Sequence, residues 1–130
     1  MYRIAKTFTF EAAHHLRDLP EEHKCARIHG HSYRVEITLE SERLTATGFV
    51  DDFAELKPLG DYIGTSLDHR DLNQVLDDNP TSELLARHLA DWFERHLAPD
   101  LNGRLIGVRV SETVNSWAEY LPASRREVTS

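Results

Sequence analysis

The sequence predicts an α+β domain in which two pairs of strands flank two helices. Alternating apolar and polar residues mark long segments near both ends of the chain, and apolar residues recur every three or four positions between them. The chain has 130 residues, of which 40% are hydrophobic, enough for one domain with one modest core. Strands placed before and after a helical pair are typical of a sheet with helices on one face.

Two N-terminal strands are predicted over residues 1–12 and 31–42. Phe8 and Phe10 share one side of the first segment, and the second alternates in the same way. Nothing helical separates the two strands, so we expect them to be antiparallel neighbours. The predicted inward side of the second strand consists of Tyr33, Val35, Ile37 and Leu39.

The first helix is predicted to begin after Asp52 and to reach Leu67, because its apolar residues follow a helical period. Asp52 is a suitable N-cap, and Glu55 completes a capping-box-like pair. Pro58 and Gly60 make this helix irregular and favour a delayed start or a kink near Pro58.

Capping residues and apolar periodicity also predict the elements of the C-terminal half. Residues 68–80 are predicted to form a loop, and Thr81 or Ser82 caps a second amphipathic helix. Alternation then predicts strands over residues 104–113 and 116–121.

Composition restricts the range of functions. We expect one domain over residues 1–122 and a polar tail over 123–130. The net charge of −7 disfavours a nucleic-acid partner, which needs a clustered basic face. No segment has the roughly 20 apolar residues that span a bilayer, and the N-terminus does not resemble a signal peptide. A single cysteine cannot form an internal disulfide, so we expect a cytoplasmic protein without a membrane partner.

A cluster of histidines is the clearest chemical signal. In an extended segment His29 and His31 point to the same side, and Gly30 between them allows close backbone approach. His14 has the inward parity of the first strand and His15 the opposite one, so His14 is the candidate third ligand. Three neutral imidazoles with an open position are the pattern of catalytic zinc. Such a histidine pair also occurs in surface or packing roles, which the sequence leaves open.

Three other features have two interpretations each. Cys25 lies in a polar stretch and is either a small buried side chain or a reactive thiol. Asp68 and His69 either face water or form an acid–base relay with Cys25. Glu112 is either an edge charge or a carboxylate that pairs with a guanidine-like group.

Seven short motifs, spread over residues 4–121, together resemble the 6-pyruvoyltetrahydropterin synthase family. The spacing of three residues between Cys25 and His29 resembles its bacterial 6-carboxytetrahydropterin synthase branch. The motifs are Phe10-Glu11-Ala12-Ala13-His14, Cys25-Ala26-Arg27-Ile28-His29-Gly30-His31, Asp51-Asp52-Phe53, Leu67-Asp68-His69, Leu72-Asn73, Asn79-Pro80-Thr81-Ser82-Glu83 and Ser111-Glu112-Thr113.

The resemblance implies the tunnelling fold (T-fold), a four-stranded antiparallel sheet with two helices on one face in the order ββααββ. Three such chains would form a barrel, and two barrels usually pair into a homohexamer. The resemblance also implies that His14, His29 and His31 hold Zn²⁺ as the cofactor.

The implied activity is that of a lyase acting on 7,8-dihydroneopterin triphosphate. In this branch the products are 6-carboxy-5,6,7,8-tetrahydropterin, acetaldehyde and triphosphate, on the route to 7-deazaguanine nucleosides such as queuosine. Cys25 would be the thiolate that accepts a proton, with Asp68 and His69 as its relay. Glu112 would anchor the pterin ring.

Further substrate contacts and other activities remain open. Thr81 and Ser82 would add hydrogen bonds to the pterin, while Lys24 and Arg27 either attract the triphosphate or are solvated loop charges. Alternative functions are a pyruvoyl-forming or dihydroneopterin-aldolase-like reaction, a zinc-stabilised pterin-binding oligomer, or a metal-free α+β module.

Overall fold

The alternating segments form two 13-residue strands, which pair antiparallel at the centre of the sheet. The computed structural model describes residues 1–123. Its sheet has five strands in the order β3-β1-β2-β4-β5, and each neighbouring pair is antiparallel except β1 and β3. The strands are β1 (Tyr2–His14), β2 (His29–Ser41), β3 (Arg70–Asp71), β4 (Arg104–Thr113) and β5 (Ser116–Tyr120).

The fifth strand corrects the expected four-stranded antiparallel sheet. β3 lies inside the predicted loop over residues 68–80 and runs parallel to β1, where Arg70 pairs with Ala12 and Asp71 with Ala13. A segment of two residues cannot show alternation, so the sequence pattern could not reveal it. The remaining order, two strands, two helices and two strands, agrees with the prediction.

The first α-helix starts later than its N-cap signal indicated. Asp52 caps a short 3-10 turn, Phe53–Leu56, where its carboxylate accepts the Ala54 N–H. Helix α1 follows over Lys57–Ser66, with Pro58 in its first turn, where proline costs no hydrogen bond. The delayed start expected from Pro58 is confirmed.

The second helix, α2, spans Ser82–His96 and begins where predicted. The Thr81 hydroxyl accepts the Leu84 N–H at 3.1 Å and so satisfies one of the free donors of the first turn. Further 3-10 turns lie at Lys24–Ala26, Leu72–Gln74 and Ala98–Asp100. Within the described residues, no helix has the length and apolarity needed to cross a membrane.

Both helices pack on one face of the sheet and form the core there. Val35, Ile37 and Val108 are fully buried, as the alternation predicts. Burying apolar area of this kind is the main force that holds helix and sheet layers together. The helices contribute Leu59, Ile63, Leu85, Leu89 and Phe93.

Strand register places the candidate ligands at one end of this covered face. His14 pairs directly with His29, and Ala12 pairs with His31. His31 has the parity of the inward residues of β2, and Glu112 has the parity of Val108 on β4. The predicted tail over 123–130 lies, beyond Ala123, outside the described residues, and the domain span of 1–122 stays a prediction.

Candidate metal centre and active site

Three imidazoles converge where β1 and β2 pair. The candidate ligand nitrogens of His14, His29 and His31 all lie within 4.8 Å of one another. His14 is completely buried, and the other two are half-buried. The structure therefore brings His14, rather than His15, to the histidine pair on β2. Gly30 is not needed for close approach, because a Cβ there would lie 3.6 Å from the Ala12 carbonyl, an ordinary contact.

Backbone carbonyls define the tautomers of two of these rings. Nδ1 of His14 lies 2.8 Å from the Pro80 carbonyl, and Nδ1 of His29 lies 2.7 Å from the Arg27 carbonyl. A carbonyl oxygen can only accept, so each Nδ1 carries the hydrogen and each Nε2 presents a lone pair. These two Nε2 atoms lie 3.0 Å apart. Two facing lone pairs repel at this distance, which a shared cation or proton would relieve.

The third ring completes the donor set. Nε2 of His31 is buried and has no hydrogen-bond partner in the described part of the chain. Burial lowers the pKa of His31, and the nearby Glu112 carboxylate opposes this shift. The Glu112 oxygens lie 3.6 Å from Nε2 of His31 and 4.0 Å from Nε2 of His14. Three imidazole nitrogens, two of them oriented by backbone carbonyls, are a donor set that suits Zn²⁺.

Tyr33 contacts the histidine cluster through His14. The sequence analysis placed Tyr33 among the inward residues of the second strand and did not identify it as part of the site. Its hydroxyl oxygen lies 3.2 Å from Nδ1 of His14, and its ring stacks on Phe10 at 4.9 Å. Burial raises the pKa of Tyr33, so the phenol stays protonated. Pro80 was also missed, because the contact uses a backbone carbonyl that every residue type has.

Asp68 and His69 form a pair at the edge of the sheet. Asp68 Oδ1 accepts the Glu11 N–H at 2.9 Å and lies 3.1 Å from Nδ1 of His69. The hydrogen bond from Glu11 lowers the pKa of Asp68, which keeps it a carboxylate. The His69 ring is 78% exposed, and it lines the same cavity of about 540 Å³ as His31. The backbone φ of His69 is 59°, a left-handed conformation that is uncommon for a residue other than glycine.

Cys25 lies on the 3-10 turn before β2 and is half-buried. Its N–H donates to Nδ1 of His23, and its carbonyl accepts the Leu16 N–H. No hydrogen bond joins Cys25 to His69 within residues 1–123 of a single chain, so this chain alone does not assemble the predicted relay.

The predicted pterin contacts on α2 lie close to the histidines. Thr81 and Ser82 directly follow Pro80, whose carbonyl accepts the hydrogen of His14. The Thr81 oxygen is already engaged as the helix cap, which leaves its O–H free to donate to another group. Ser82 is half-buried at the first position of the helix.

Comparison with known proteins shows the family. The sequence model of the family described as 6-pyruvoyl tetrahydropterin synthase matches residues 3–123. The chain belongs to this family. This confirms the resemblance that the motifs indicated.

Three similar proteins illustrate the relationship. A Synechocystis protein named 6-carboxy-5,6,7,8-tetrahydropterin synthase is 40% identical over 126 residues, which cover 92% of this chain and 93% of that protein. A dihydroneopterin monophosphate aldolase from Pyrococcus furiosus is 34% identical over 99 residues, covering 76% of this chain and 81% of the aldolase. The solved structure of Caenorhabditis elegans 6-pyruvoyl tetrahydropterin synthase superposes with a TM-score of 0.81 at 26% identity, covering 94% of this chain and 96% of that one.

Proposed function

We propose that this chain is a zinc-dependent 6-carboxy-5,6,7,8-tetrahydropterin synthase. It would convert 7,8-dihydroneopterin triphosphate and one water molecule to 6-carboxy-5,6,7,8-tetrahydropterin, with release of acetaldehyde and triphosphate, as a step toward queuosine-type nucleosides. The observation that carries the proposal is the convergence of three histidine nitrogens beside a carboxylate. The relative from Synechocystis, similar over nearly its whole length, supports this branch of the family. The cytoplasmic location stays a prediction.

In this proposal His14, His29 and His31 hold the zinc through Nε2. When bound, Zn²⁺ supplies Lewis-acid polarisation of the substrate's side-chain oxygens. The carbonyls of Pro80 and Arg27 keep two of the rings oriented for this task.

Proton transfer is the task of Cys25 and His69. Cys25 takes a carbon-bound proton, and His69 returns one while Asp68 orients its ring through Nδ1. Because no hydrogen bond joins Cys25 to His69 within the described residues, we propose that a second copy supplies the Asp68–His69 pair. The exposed position of the His69 ring supports this arrangement.

The edge of the sheet formed by β1 supports an assembly of several copies. β1 pairs with β3 only at Ala12 and Ala13, so most of its outer edge has no strand partner among the described residues. Unpaired strand edges readily add another strand. We propose a trimer that closes the sheets into a barrel, and a pair of trimers as the homohexamer.

A second candidate is aldolase chemistry on a related pterin. The similarity to the Pyrococcus furiosus dihydroneopterin monophosphate aldolase favours it. The two reactions differ in their products, because only the synthase leaves a carboxylate on the pterin and releases acetaldehyde.

Product analysis tests the proposal. The zinc-loaded protein is incubated with 7,8-dihydroneopterin triphosphate, with and without a chelator, and the products are identified by mass spectrometry. We expect 6-carboxytetrahydropterin and acetaldehyde, loss of both with chelator, and recovery on adding zinc. A hydroxymethyl pterin or a pyruvoyl product would favour another branch, and binding without turnover would leave a pterin-binding oligomer.

The variant Cys25→Ala tests the proton-transfer role. It should keep the zinc content and circular dichroism of the wild type while turnover falls by at least about 100-fold, the lower range for a lost acid–base group. An active Cys25→Ala protein would remove Cys25 from the mechanism.

A further inference from the structure

Two asparagine side chains from the segment between α1 and α2 hold the chain just beyond the end of β1. Asn73 Oδ1 accepts the His15 N–H at 2.8 Å, and Asn73 Nδ2 donates to the His15 carbonyl at 3.0 Å. Asn79 binds both backbone groups of Arg17 in the same way, at 2.8 and 3.2 Å. Each amide thus satisfies one backbone donor and one backbone acceptor, as a neighbouring strand would.

These contacts continue the edge pairing of β1 beyond the short strand β3. Within β1, Glu11 donates its N–H to Asp68 and accepts the His69 N–H. Alternate residues of a strand present their backbone groups to the same edge, and Glu11, His15 and Arg17 have the same parity. The two asparagine amides therefore take the place of a strand along this edge.

Leu16, between the two held residues, bonds in the other direction. Its N–H donates to the Cys25 carbonyl at 2.7 Å. Residues 18–24, which connect Leu16 and Cys25, are all exposed, so little apolar packing fixes them. The position of Cys25 therefore depends on its hydrogen bond to Leu16, and Leu16 depends on the asparagine contacts on either side of it.

We propose that Asn73 and Asn79 are positioning residues that place Cys25 for proton transfer. The inference rests on the proposed function, because it concerns the residue that takes the carbon-bound proton there. Displacing a reacting group by about 1 Å can lower a rate about 100-fold. Loss of either amide should therefore lower kcat and leave KM unchanged, because Cys25 acts on the reacting carbon in the transition state.

Two measurements on the zinc-loaded protein test the proposal with the variants Asn73→Ala and Asn79→Ala. The Leu16 amide should exchange its hydrogen at least about tenfold faster in each variant than in the wild type, while amides of β2 and β4 keep their protection. In the product assay kcat should fall at least about tenfold, with KM and zinc content unchanged. Asn73→Ala separates the effect on Cys25 from one on the metal site, because Asn79 precedes Pro80, whose carbonyl contacts a zinc ligand.

Asn102→Ala is the matched control. The Asn102 amide also donates to backbone carbonyls, those of Arg43 and Val50, both at 2.9 Å, but near the opposite end of β2. This variant should lose stability in urea without a change in kcat or in the exchange of the Leu16 amide.

Unchanged Leu16 exchange in both asparagine variants, or equal acceleration in Asn102→Ala, would overturn the inference. Loss of zinc from Asn73→Ala would also overturn it, because the role would then be a general structural one, and so would full kcat despite faster exchange. A wild type that binds zinc but forms no carboxylated pterin would instead overturn the proposed function, and Leu16 exchange would still show whether the asparagines hold the Cys25 turn.

Discussion

Replacement of His14 by alanine should abolish zinc binding and also destabilise the metal-free fold. His14 is fully buried, and its Nδ1–H joins the end of β1 to the Pro80 carbonyl, 66 positions away in the chain. His29 is the matched control. It is half-buried, and its Nδ1–H donates to Arg27, only two positions away. His29→Ala should therefore lose the metal while it keeps nearly the stability of the metal-free wild type.

The magnitude follows from these contacts. Leaving the buried Pro80 carbonyl without a partner costs about 1–3 kcal/mol, and the cavity left by the His14 ring raises the total to about 2–4 kcal/mol. His29→Ala should cost under about 1 kcal/mol. Either change relieves the repulsion between the facing Nε2 atoms, so that contribution cancels in the comparison. Zinc at 100 times its Kd adds about 2.7 kcal/mol to the wild type, and both variants should lose this increment.

Urea unfolding followed by circular dichroism measures both effects, once with a chelator and once with excess zinc. All proteins are compared at one concentration, because assembly would make the apparent stability depend on it. Equal destabilisation of the two variants in chelator would refute the structural role of His14. Full zinc stabilisation of either variant would refute the three-histidine site.

Three further predictions concern the relay, a turn and the pH dependence of stability. His69→Asn should keep the fold and the zinc content, because asparagine tolerates the left-handed backbone. The variant should lose turnover in the product assay. Undiminished turnover would exclude His69 from the relay. The buried Asp51 carboxylate accepts the backbone N–H groups of Asn102 and Gly103 at 2.9 and 2.7 Å, just before β4. Asp51→Asn should therefore lower the free energy of urea unfolding by about 1–3 kcal/mol. A decrease below about 0.5 kcal/mol would contradict this prediction. Burial lowers the pKa of His88, whose Nε2 lies 2.6 Å from the Tyr62 hydroxyl, below the ordinary value of 6.5. The unfolded chain therefore binds the proton first, so stability is full above pH 6.5 and falls below it. His88→Gln should reduce that fall between pH 7.5 and 5.5, and an identical pH dependence in both proteins would show that His88 is not responsible.

The sequence predicted most of the sheet because burial on one face imposes alternation on long strands. β4 occupies the predicted residues 104–113, and β1 and β2 differ from prediction by about two residues at their ends. The pattern failed for β3, which has two residues and depends on its contact with β1. It also placed the Asp52 cap on a helix, although Asp52 caps the 3-10 turn that precedes α1.

In the candidate site, the spacing of residues along one strand could be predicted from the sequence, whereas contacts between distant segments could not. The parity of an extended strand was enough to place His29 and His31 on one side, because the period of two is set by backbone geometry alone. Parity along the first strand also favoured His14 over His15, but its position beside His29 depended on the register between β1 and β2, which the sequence only suggested. The roles of Cys25, Thr81 and Ser82 are still predictions.

By itself, the sequence determined the family, the order of the long elements and the set of chemically capable side chains. These properties depend on residue identity and on short-range periodicity. Only the tertiary structure decided that the Pro80 carbonyl orients His14, that Glu112 faces the Nε2 atoms of His14 and His31, and that no hydrogen bond joins Cys25 to His69 within the described residues. Each of these facts is a distance between residues far apart in the chain, and such distances are set by strand register and by the packing of helices on the sheet.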